Sequence, residues 1–204
     1  MSRYRGPKIR LIRKLGELPG LTTKTTTRFY PPGQHGPGKL SKKSSLSEYG
    51  LRLQEKQKLR YNYGVSEQQL LNYVKEARRL PGATGSLLLQ LLEMRLDNIV
   101  FRLGFAPTIP AARQFVSHGS ILVNGRRVDI PSFQCQVNDV ISVKDKPKAC
   151  SVAKQNLQAL RTRVPSHLEV DVENLKGKVI SVVVRDEVNI PINELLIVEF
   201  YSRK

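Results

Sequence analysis

The chain has 204 residues, with 34 Lys and Arg against 17 Asp and Glu, so its formal net charge is +17. Residues 1–60 carry 15 basic and 3 acidic side chains, and the remaining residues carry 19 and 14, so the positive charge is concentrated at the N-terminus. This charge indicates a polyanionic partner, and the lack of a broad apolar face in the basic part favours nucleic acid over a membrane surface. The two cysteines form no CxxC pair and accompany no histidine cluster, so neither a disulfide framework nor a metal site is predicted.

Residues 1–45 are predicted to form a basic N-terminal arm. They hold 11 of the 34 basic residues and few apolar ones, and the runs at 31–33 and 36–38 combine Pro with Gly and disfavour a helix. This composition is typical of an extended segment that becomes ordered against RNA, with a disordered solubilising tail as the alternative. Aromatic residues among the basic ones favour RNA contact. The candidate contacts here are Arg3, Tyr4, Arg5, Lys8, Arg10, Arg13, Lys14, Tyr30, Gln34 and His35.

A helical domain is predicted over residues 46–93. Its first helix should run from Glu48 to Tyr63 and end at Gly64. One face of this helix carries a stripe with spacings of 3, 4, 4 and 3 residues and no acidic member, formed by Tyr49, Arg52, Lys56, Arg60 and Tyr63. Basic side chains flanked by aromatic ones suit an RNA backbone, and a solvated charged face is the alternative.

Two further helices complete this domain. Ser66 and Gln69 form a capping box, and the apolar residues after it, from Leu70 to Ala77, are expected to face a core. A break follows at 81–85, and a leucine-rich helix then starts at Ser86. Its leucines are predicted to be core residues.

The stretch from 95 to 143 is predicted to hold two short helices, a hairpin and a strand. Asp97 is placed to cap the first helix and Thr108 the second, which ends near Gly119. Asn124-Gly125 predicts a tight hairpin, and a strand should follow at Val140–Val143. The candidate RNA contacts in this stretch are Arg95, Arg102, Arg113, His118, Asn124, Gly125, Arg126 and Arg127. Arg95 and Arg102 could instead pair with Asp97, and two arginines at a turn could merely solubilise it.

The C-terminal part is predicted to add helices and strands. Residues 144–148 should form a turn, 150–161 an amphipathic helix, 168–172 a half-exposed strand and 178–184 a strand buried on both faces. Asn193 could cap a last helix that continues through Phe200. The fold class is therefore predicted to be α+β, with a basic arm and helical domain followed by a domain of antiparallel sheet and helices. No P-loop, G-x-S-x-G or H-E-x-x-H motif and no evident signal peptide is present.

Six segments, in this order, resemble those of one family: MSRYRGPK at 1–8, YPPGQHG at 30–36, EKQKLRYNYGVSEQQL at 55–70, LLQLLEMRLDN at 88–98, VNGRRVDIPS at 123–132 and INELLIVEFYSR at 192–203. The chain resembles the S4 family of small-subunit ribosomal proteins over nearly its whole length. The resemblance implies an S4 RNA-binding domain over 94–190 and a C-terminal tail, 191–204, that returns to the helical domain. It also implies that the chain needs no cofactor. Some members carry a four-cysteine zinc site near the N-terminus, but no cysteine here precedes Cys135, so no metal is predicted.

The resemblance implies direct binding to small-subunit rRNA of the 16S type, in its five-prime domain, and early assembly at a multi-helix junction. It also implies contact with the neighbouring protein S5, with an effect on translational accuracy, and a place near the mRNA entry channel. Segments such as LGELPGLT resemble those of the cyanobacterial and plastid branch of the family. This resemblance favours a chloroplast ribosome over a bacterial cytoplasm. An RNA-modifying enzyme carrying an S4 domain, and a binder that represses its own mRNA, are the alternatives.

Overall fold

The computed structural model describes residues 4–28, 30–34, 36–37, 47–159, 164–188 and 190–202. The chain divides into two compact units, unit 1 with residues 1–85 and 190–204, and unit 2 with residues 86–189. The described residues form eight α-helices and a five-stranded antiparallel sheet, which confirms the predicted α+β class. None of the described helices is both long enough and apolar enough to cross a membrane.

Unit 1 is helical. Its helices are α1 (Lys8–Leu15), α2 (Glu48–Tyr63), α3 (Glu67–Arg79) and, from the C-terminal segment, α8 (Glu194–Ser202). α2 has the predicted bounds and ends at Gly64, whose φ of 62° is left-handed. The predicted capping box at the start of α3 is confirmed, since the Ser66 hydroxyl accepts from the Gln69 backbone N–H at 3.2 Å.

The N-terminal arm is not wholly extended, and the prediction is wrong for residues 8–21. α1 is followed by a turn, and Leu15, Leu18 and Leu21 are 6%, 2% and 3% exposed. Leu11 and Tyr61 pack against these leucines, so α1 joins the core of unit 1. The composition concealed this because four basic residues surround the few apolar ones in α1, which nevertheless share one helical face. Residues 1–3, 29, 35 and 38–45 of the predicted arm lie outside the described residues.

The C-terminal helix α8 packs against α2. The rings of Tyr49 and Phe200 lie 5.9 Å apart, and the backbone N–H of Asn193 donates to the Glu55 carboxylate at 3.1 Å. The Asn193 side chain accepts from the Leu195 N–H at 3.1 Å, so the predicted cap is confirmed. Unit 1 is therefore built from two segments that are separated along the chain by the whole of unit 2.

Unit 2 contains helices and the five-stranded antiparallel sheet. Its helices are α4 (Thr84–Glu93, of which the first two residues belong to unit 1), α5 (Leu96–Arg102), α6 (Ile109–Ser117) and α7 (Pro147–Gln158), with a short 3-10 helix at Arg185–Glu187. The strands are β1 (Ile121–Val123), β2 (Arg126–Arg127), β3 (Val140–Val143), β4 (Leu168–Asp171) and β5 (Lys176–Val179), in the antiparallel order β2-β1-β3-β5-β4. The core contains the fully buried Leu88, Leu92, Leu96, Ile99, Val100, Leu103, Val116, Ile121, Ile141 and Val179.

The predicted hairpin is confirmed. Asn124 and Gly125 have φ angles of 50° and 77°, the left-handed pair that a two-residue turn of this kind requires. Arg126 pairs with Val123 directly across the turn. Thr108 caps α6 as predicted, since its hydroxyl accepts from the Ala111 N–H at 3.3 Å.

Two local predictions for unit 2 are wrong. Asp97 lies inside α5 and does not cap it, because Arg95 occupies the cap position. The segment 178–184 is not a strand buried on both faces: β5 ends at Val179, and Ile180, Val182 and Val184 are 47%, 39% and 59% exposed. The leucine-rich helix α4 lies mainly in unit 2, which begins at residue 86, whereas the sequence analysis assigned this helix to the helical domain. The predicted domain boundary after residue 93 stays a prediction.

Candidate nucleic-acid interface

The predicted RNA-contact residues fall into two groups in the structure. In the first group, carboxylates of the same unit neutralise the basic side chains. In the second group, the side chains are exposed and carry the positive charge to the surface. Only the exposed side chains of the second group can contact a phosphate without first breaking an interaction with a neutralising carboxylate of the protein.

The basic stripe of α2 belongs largely to the first group. The Arg52 guanidinium donates through Nε to Glu199 of α8 at 2.7 Å and through Nη2 to Glu48 at 3.2 Å. The hydrogen bond to Glu199 is the main cause that raises the pKa of Arg52. Tyr49 is 62% exposed but lies against Phe200. None of the five stripe residues is acidic, but α8 supplies the carboxylate of Glu199 to Arg52.

The middle of the stripe is buried. Lys56 is 5% exposed, and its Nζ lies 2.8 Å from Glu67 Oε1 and 4.5 Å from the centre of the Phe200 ring. The Arg60 guanidinium lies 3.7 Å from Glu67 Oε2, and Tyr63 is 1% exposed. Burial raises the pKa of Glu67, but hydrogen bonds from Lys56 and the Tyr201 hydroxyl outweigh it and leave that pKa lowered.

The predicted phosphate-contact role is therefore corrected for the buried Lys56 and Tyr63, and it stays a prediction for Tyr49, Arg52 and Arg60. Lys56 and Tyr63 are core residues of unit 1, and Arg52 and Arg60 are partners of its carboxylates. The helical spacing correctly placed the five residues on one face. That face packs against the start of α3 and against α8, which the spacing could not show.

In unit 2, a buried carboxylate holds two of the predicted RNA-contact arginines. Asp97 has no exposed surface and accepts from Arg95 Nε and Nη2 at 3.1 and 2.9 Å. It also accepts from Arg113 Nε and Nη2 at 3.1 and 2.7 Å. Asp97 thus joins α6 to the start of α5. Arg95 and Arg113 are 1% and 9% exposed, so their predicted contact with RNA is corrected to a structural role.

A second buried carboxylate, that of Glu93, accepts hydrogen bonds from Arg102. Glu93 at the end of α4 is 1% exposed and accepts from Arg102 Nε and Nη2 at 3.0 and 2.7 Å. The Asn98 amide donates to the Glu93 carbonyl at 3.0 Å. The alternative of pairing with Asp97 is correct for Arg95, whereas Arg102 pairs with Glu93. The predicted RNA contact of Arg102 is likewise corrected.

The second group in unit 1 lies on and before α1. Arg5, Arg10 and Lys14 are exposed, and Lys8 is half-buried. Arg13 is turned inward: it donates to the carbonyls of Tyr30 at 3.0 Å and Pro31 at 3.1 Å, and its guanidinium lies 4.6 Å from the centre of the Tyr30 ring. Tyr4 packs edge-on against Tyr61, and Gln34 is exposed. Arg3 and His35 lie outside the described residues.

The second group in unit 2 lies at the hairpin. Gly125, Arg126, Arg127 and His118 are exposed, and Arg127 has a long contact of 3.8 Å with the equally exposed Asp129. Asn124 is exposed but has a structural task, since its amide donates to Asp139 at 2.8 Å and accepts from the Val140 N–H at 2.9 Å. The hairpin tip is thereby fastened to β3. The exposed Lys146 and Lys148 and the half-buried Lys144 follow β3, where the sequence pattern indicated only a turn.

Residues 3–93 match the family described as "Ribosomal protein S4/S9 N-terminal domain", and residues 94–141 match the "S4 domain". The chain belongs to the S4 family of ribosomal proteins. It is 60% identical over its full length, and that of the relative, to "Small ribosomal subunit protein uS4" of Thermosynechococcus vestitus. It is also 60% identical to uS4c of Rhodomonas salina and 58% identical to uS4c of Guillardia theta, again over the full length of both chains.

Membership of the S4 family confirms the resemblance found in the sequence, including its cyanobacterial and plastid branch. It also confirms that the chain is not an enzyme, because its relatives are named as ribosomal proteins. A ribosomal location, in a chloroplast or a cyanobacterium, agrees with these relatives. No cluster of His, Cys, Asp and Glu within the described ranges could hold a metal ion, and the lack of a metal site stays a prediction.

Proposed function

We propose that this S4-family chain is a structural protein of the small ribosomal subunit and binds small-subunit rRNA directly. The observation that supports this proposal is the contrast between the two groups of basic residues. Carboxylates neutralise the buried arginines, whereas Arg5, Arg10, Lys14, Arg126 and Arg127 are exposed before and on α1 and at the hairpin. The relatives are named as small-subunit ribosomal proteins, so small-subunit rRNA is the polyanion that we expect the exposed residues to bind.

The mechanism is electrostatic binding by a rigid scaffold. Each exposed Lys or Arg that neutralises a phosphate releases condensed counterions, which favours binding at low salt. The Asp97 and Glu93 ion clusters fix α4, α5 and α6 within unit 2, so the hairpin that follows α6 has a fixed base. Arginine at a turn tip tracks the RNA backbone and gives little base readout. The protein would therefore hold the shape of an RNA junction.

The finer roles are also part of the proposal. The family resemblance supports early assembly at a junction of the five-prime domain, contact with S5 linked to accuracy, a place near the mRNA entry channel and a chloroplast ribosome.

The hairpin tests direct rRNA binding. The double variant Arg126→Ala/Arg127→Ala, in the full chain, should bind a transcript of the five-prime domain with a weaker salt dependence. If both arginines contact phosphates, the slope of log affinity against log salt should fall by about 1.4–1.8, at roughly 0.7–0.9 per contact. Both side chains are exposed, so the free energy of unfolding should change little.

The matched control is Arg78→Ala/Arg79→Ala, which removes the same charge from the exposed end of α3. A general effect of net charge would lower both slopes equally. Wild-type affinity and slope in the hairpin variant would contradict an RNA contact at the hairpin. Failure of the wild-type chain to bind the transcript at low salt would refute direct rRNA binding altogether.

A further inference from the structure

The segment from 144 to 148 comprises the connection from β3 to α7 and the first two residues of α7, and it carries Lys144, Lys146 and Lys148. It lies beyond residues 94–141, which match the S4 domain. Lys146 and Lys148 are exposed and Lys144 is half-buried. Among the residues that the structure describes, no carboxylate lies within 4.0 Å of these three amino groups. These lysines therefore differ from the basic residues of α2, whose charges the protein itself neutralises.

The segment lies beside the hairpin surface. The Lys144 backbone N–H donates to the Ser120 carbonyl at 2.8 Å. The neighbouring Gly119 is covered by the Arg127 guanidinium, into which any side chain at 119 would run. The backbone of Lys144 thus lies next to the part of unit 2 that the Arg127 side chain covers, and Lys146 and Lys148 follow within four residues. We call this surface the basic ridge, and it comprises His118, Arg126, Arg127, Lys144, Lys146 and Lys148.

Hydrogen bonds within the protein fix the backbone of this segment in the absence of a ligand. The Lys146 N–H donates to the Lys144 carbonyl at 2.7 Å, and the Cys150 N–H donates to the Lys146 carbonyl at 3.0 Å. α7 is anchored by the buried Ala149 and Ala153, and the Asn156 amide donates to the Phe105 carbonyl at 2.9 Å. A fixed backbone lowers the entropy lost on binding, since only the lysine side chains remain to be ordered.

The two exposed lysines of β5 have acids across the sheet. Lys178 is directly opposite Glu169, and Lys176 is directly opposite Asp171, in the register of β4 and β5. Residues 144–148 contain a single acid, Asp145, against three lysines. The local charge of this segment therefore remains positive, which suits a polyanion better than the face of β4 and β5.

We infer that Lys144, Lys146 and Lys148 form a further phosphate-contact site for RNA, continuous with the hairpin along the basic ridge. This inference rests on the proposed rRNA binding and enlarges the surface that performs it. The S4-domain match ends before these lysines, so they add contacts that the matched domain does not include. Each lysine acts as a point charge on the RNA backbone and does not distinguish bases.

The test compares two triple variants in the full chain. Lys144→Gln/Lys146→Gln/Lys148→Gln should lower the slope of log affinity against log salt by about 2–3 for a five-prime-domain transcript, at roughly 0.7–0.9 per contact. The matched control Lys75→Gln/Arg78→Gln/Arg79→Gln removes three exposed charges from α3 and should change the slope much less. A wild-type slope in the 144–148 variant would overturn the inference.

Protection of the amines gives a second readout that needs no variant. In the wild-type complex with the same transcript, the amino groups of Lys144, Lys146 and Lys148 should acylate several-fold more slowly than in the free protein. Lys75 should acylate at the same rate in both. Equal rates for the three ridge lysines in free and bound protein would overturn the inference even if the triple variant failed to fold.

The outcomes separate this inference from the proposed function. If the wild type binds and the Arg126→Ala/Arg127→Ala variant weakens the salt dependence, direct rRNA binding stands whatever the lysines do. A wild-type slope in the 144–148 variant then refutes the lysine site alone. If the wild type does not bind the transcript, the proposed function fails and the lysine site fails with it.

Discussion

Replacing Asp97 with Ala should destabilise unit 2 strongly. The change removes the carboxylate that accepts four hydrogen bonds, two from Arg95 and two from Arg113, at 2.7–3.1 Å. Both guanidinium groups are almost fully buried, so their charges would lose this compensation inside the protein. Removing one partner of a buried ion pair costs about 3–5 kcal/mol, and we expect a loss in this range.

The assay is urea unfolding of the full chain by far-ultraviolet circular dichroism, with hydrogen exchange of α5 and α6 peptides to assign the loss to unit 2. The control is Asp129→Ala, at an exposed carboxylate 3.8 Å from Arg127, which should cost less than about 1 kcal/mol. In the double variant Asp97→Ala/Arg113→Met, part of the loss should be recovered because one buried charge is also removed. A loss below about 1 kcal/mol for Asp97→Ala would refute the reasoning.

Three further predictions concern the rest of the chain. Leu18→Ala should lower the free energy of unfolding by about 2–5 kcal/mol, whereas Ile9→Ala on the same segment, at an exposed side chain, should cost less than about 1 kcal/mol. Equal losses would contradict a buried α1 core. The pKa of Glu67 is lowered in the folded protein, so Glu67 contributes stability above its ordinary pKa near 4.5. This stability is lost as the pH falls through the lowered pKa of the folded state. Glu67→Gln should therefore remove this acid dependence from unfolding curves measured between pH 3 and 6. Burial raises the pKa of Cys135 to about 12, so thiol alkylation at pH 8 should label Cys150 and spare Cys135, and labelling of both thiols in the folded protein would contradict this assignment.

Short-range signals in the sequence predicted their structures well. The capping box at Ser66, the Asn124-Gly125 turn and the end of α2 at Gly64 each depend on residues within about four positions of one another. Backbone sterics and one or two local hydrogen bonds decide such features, so the chain needs no distant partner to form them. These elements also place the hairpin, which carries the exposed arginines of the candidate interface.

The neutralised basic residues were not predictable because their partners are distant in the sequence. Arg52 meets Glu199, 147 residues away, and Arg113 meets Asp97, 16 residues away. A pattern within one helix contains no information on which carboxylate the fold brings to it. The segment 178–184 failed for a related reason, because its β-branched residues favour a strand, but β5 ends at Val179 and leaves Val184 exposed.

The division of unit 1 into two segments has a consequence for biosynthesis. All of unit 2 is translated before α8, whose residues 194–202 pack on α2. Unit 2 can therefore fold during translation, while Lys56 of α2 is not yet covered by the Phe200 ring and Glu67 of α3 has not yet received the hydrogen bond from the Tyr201 hydroxyl. The nascent chain would present a completed hairpin before its N-terminal helices are closed, so RNA could meet the two units of a growing polypeptide at different times.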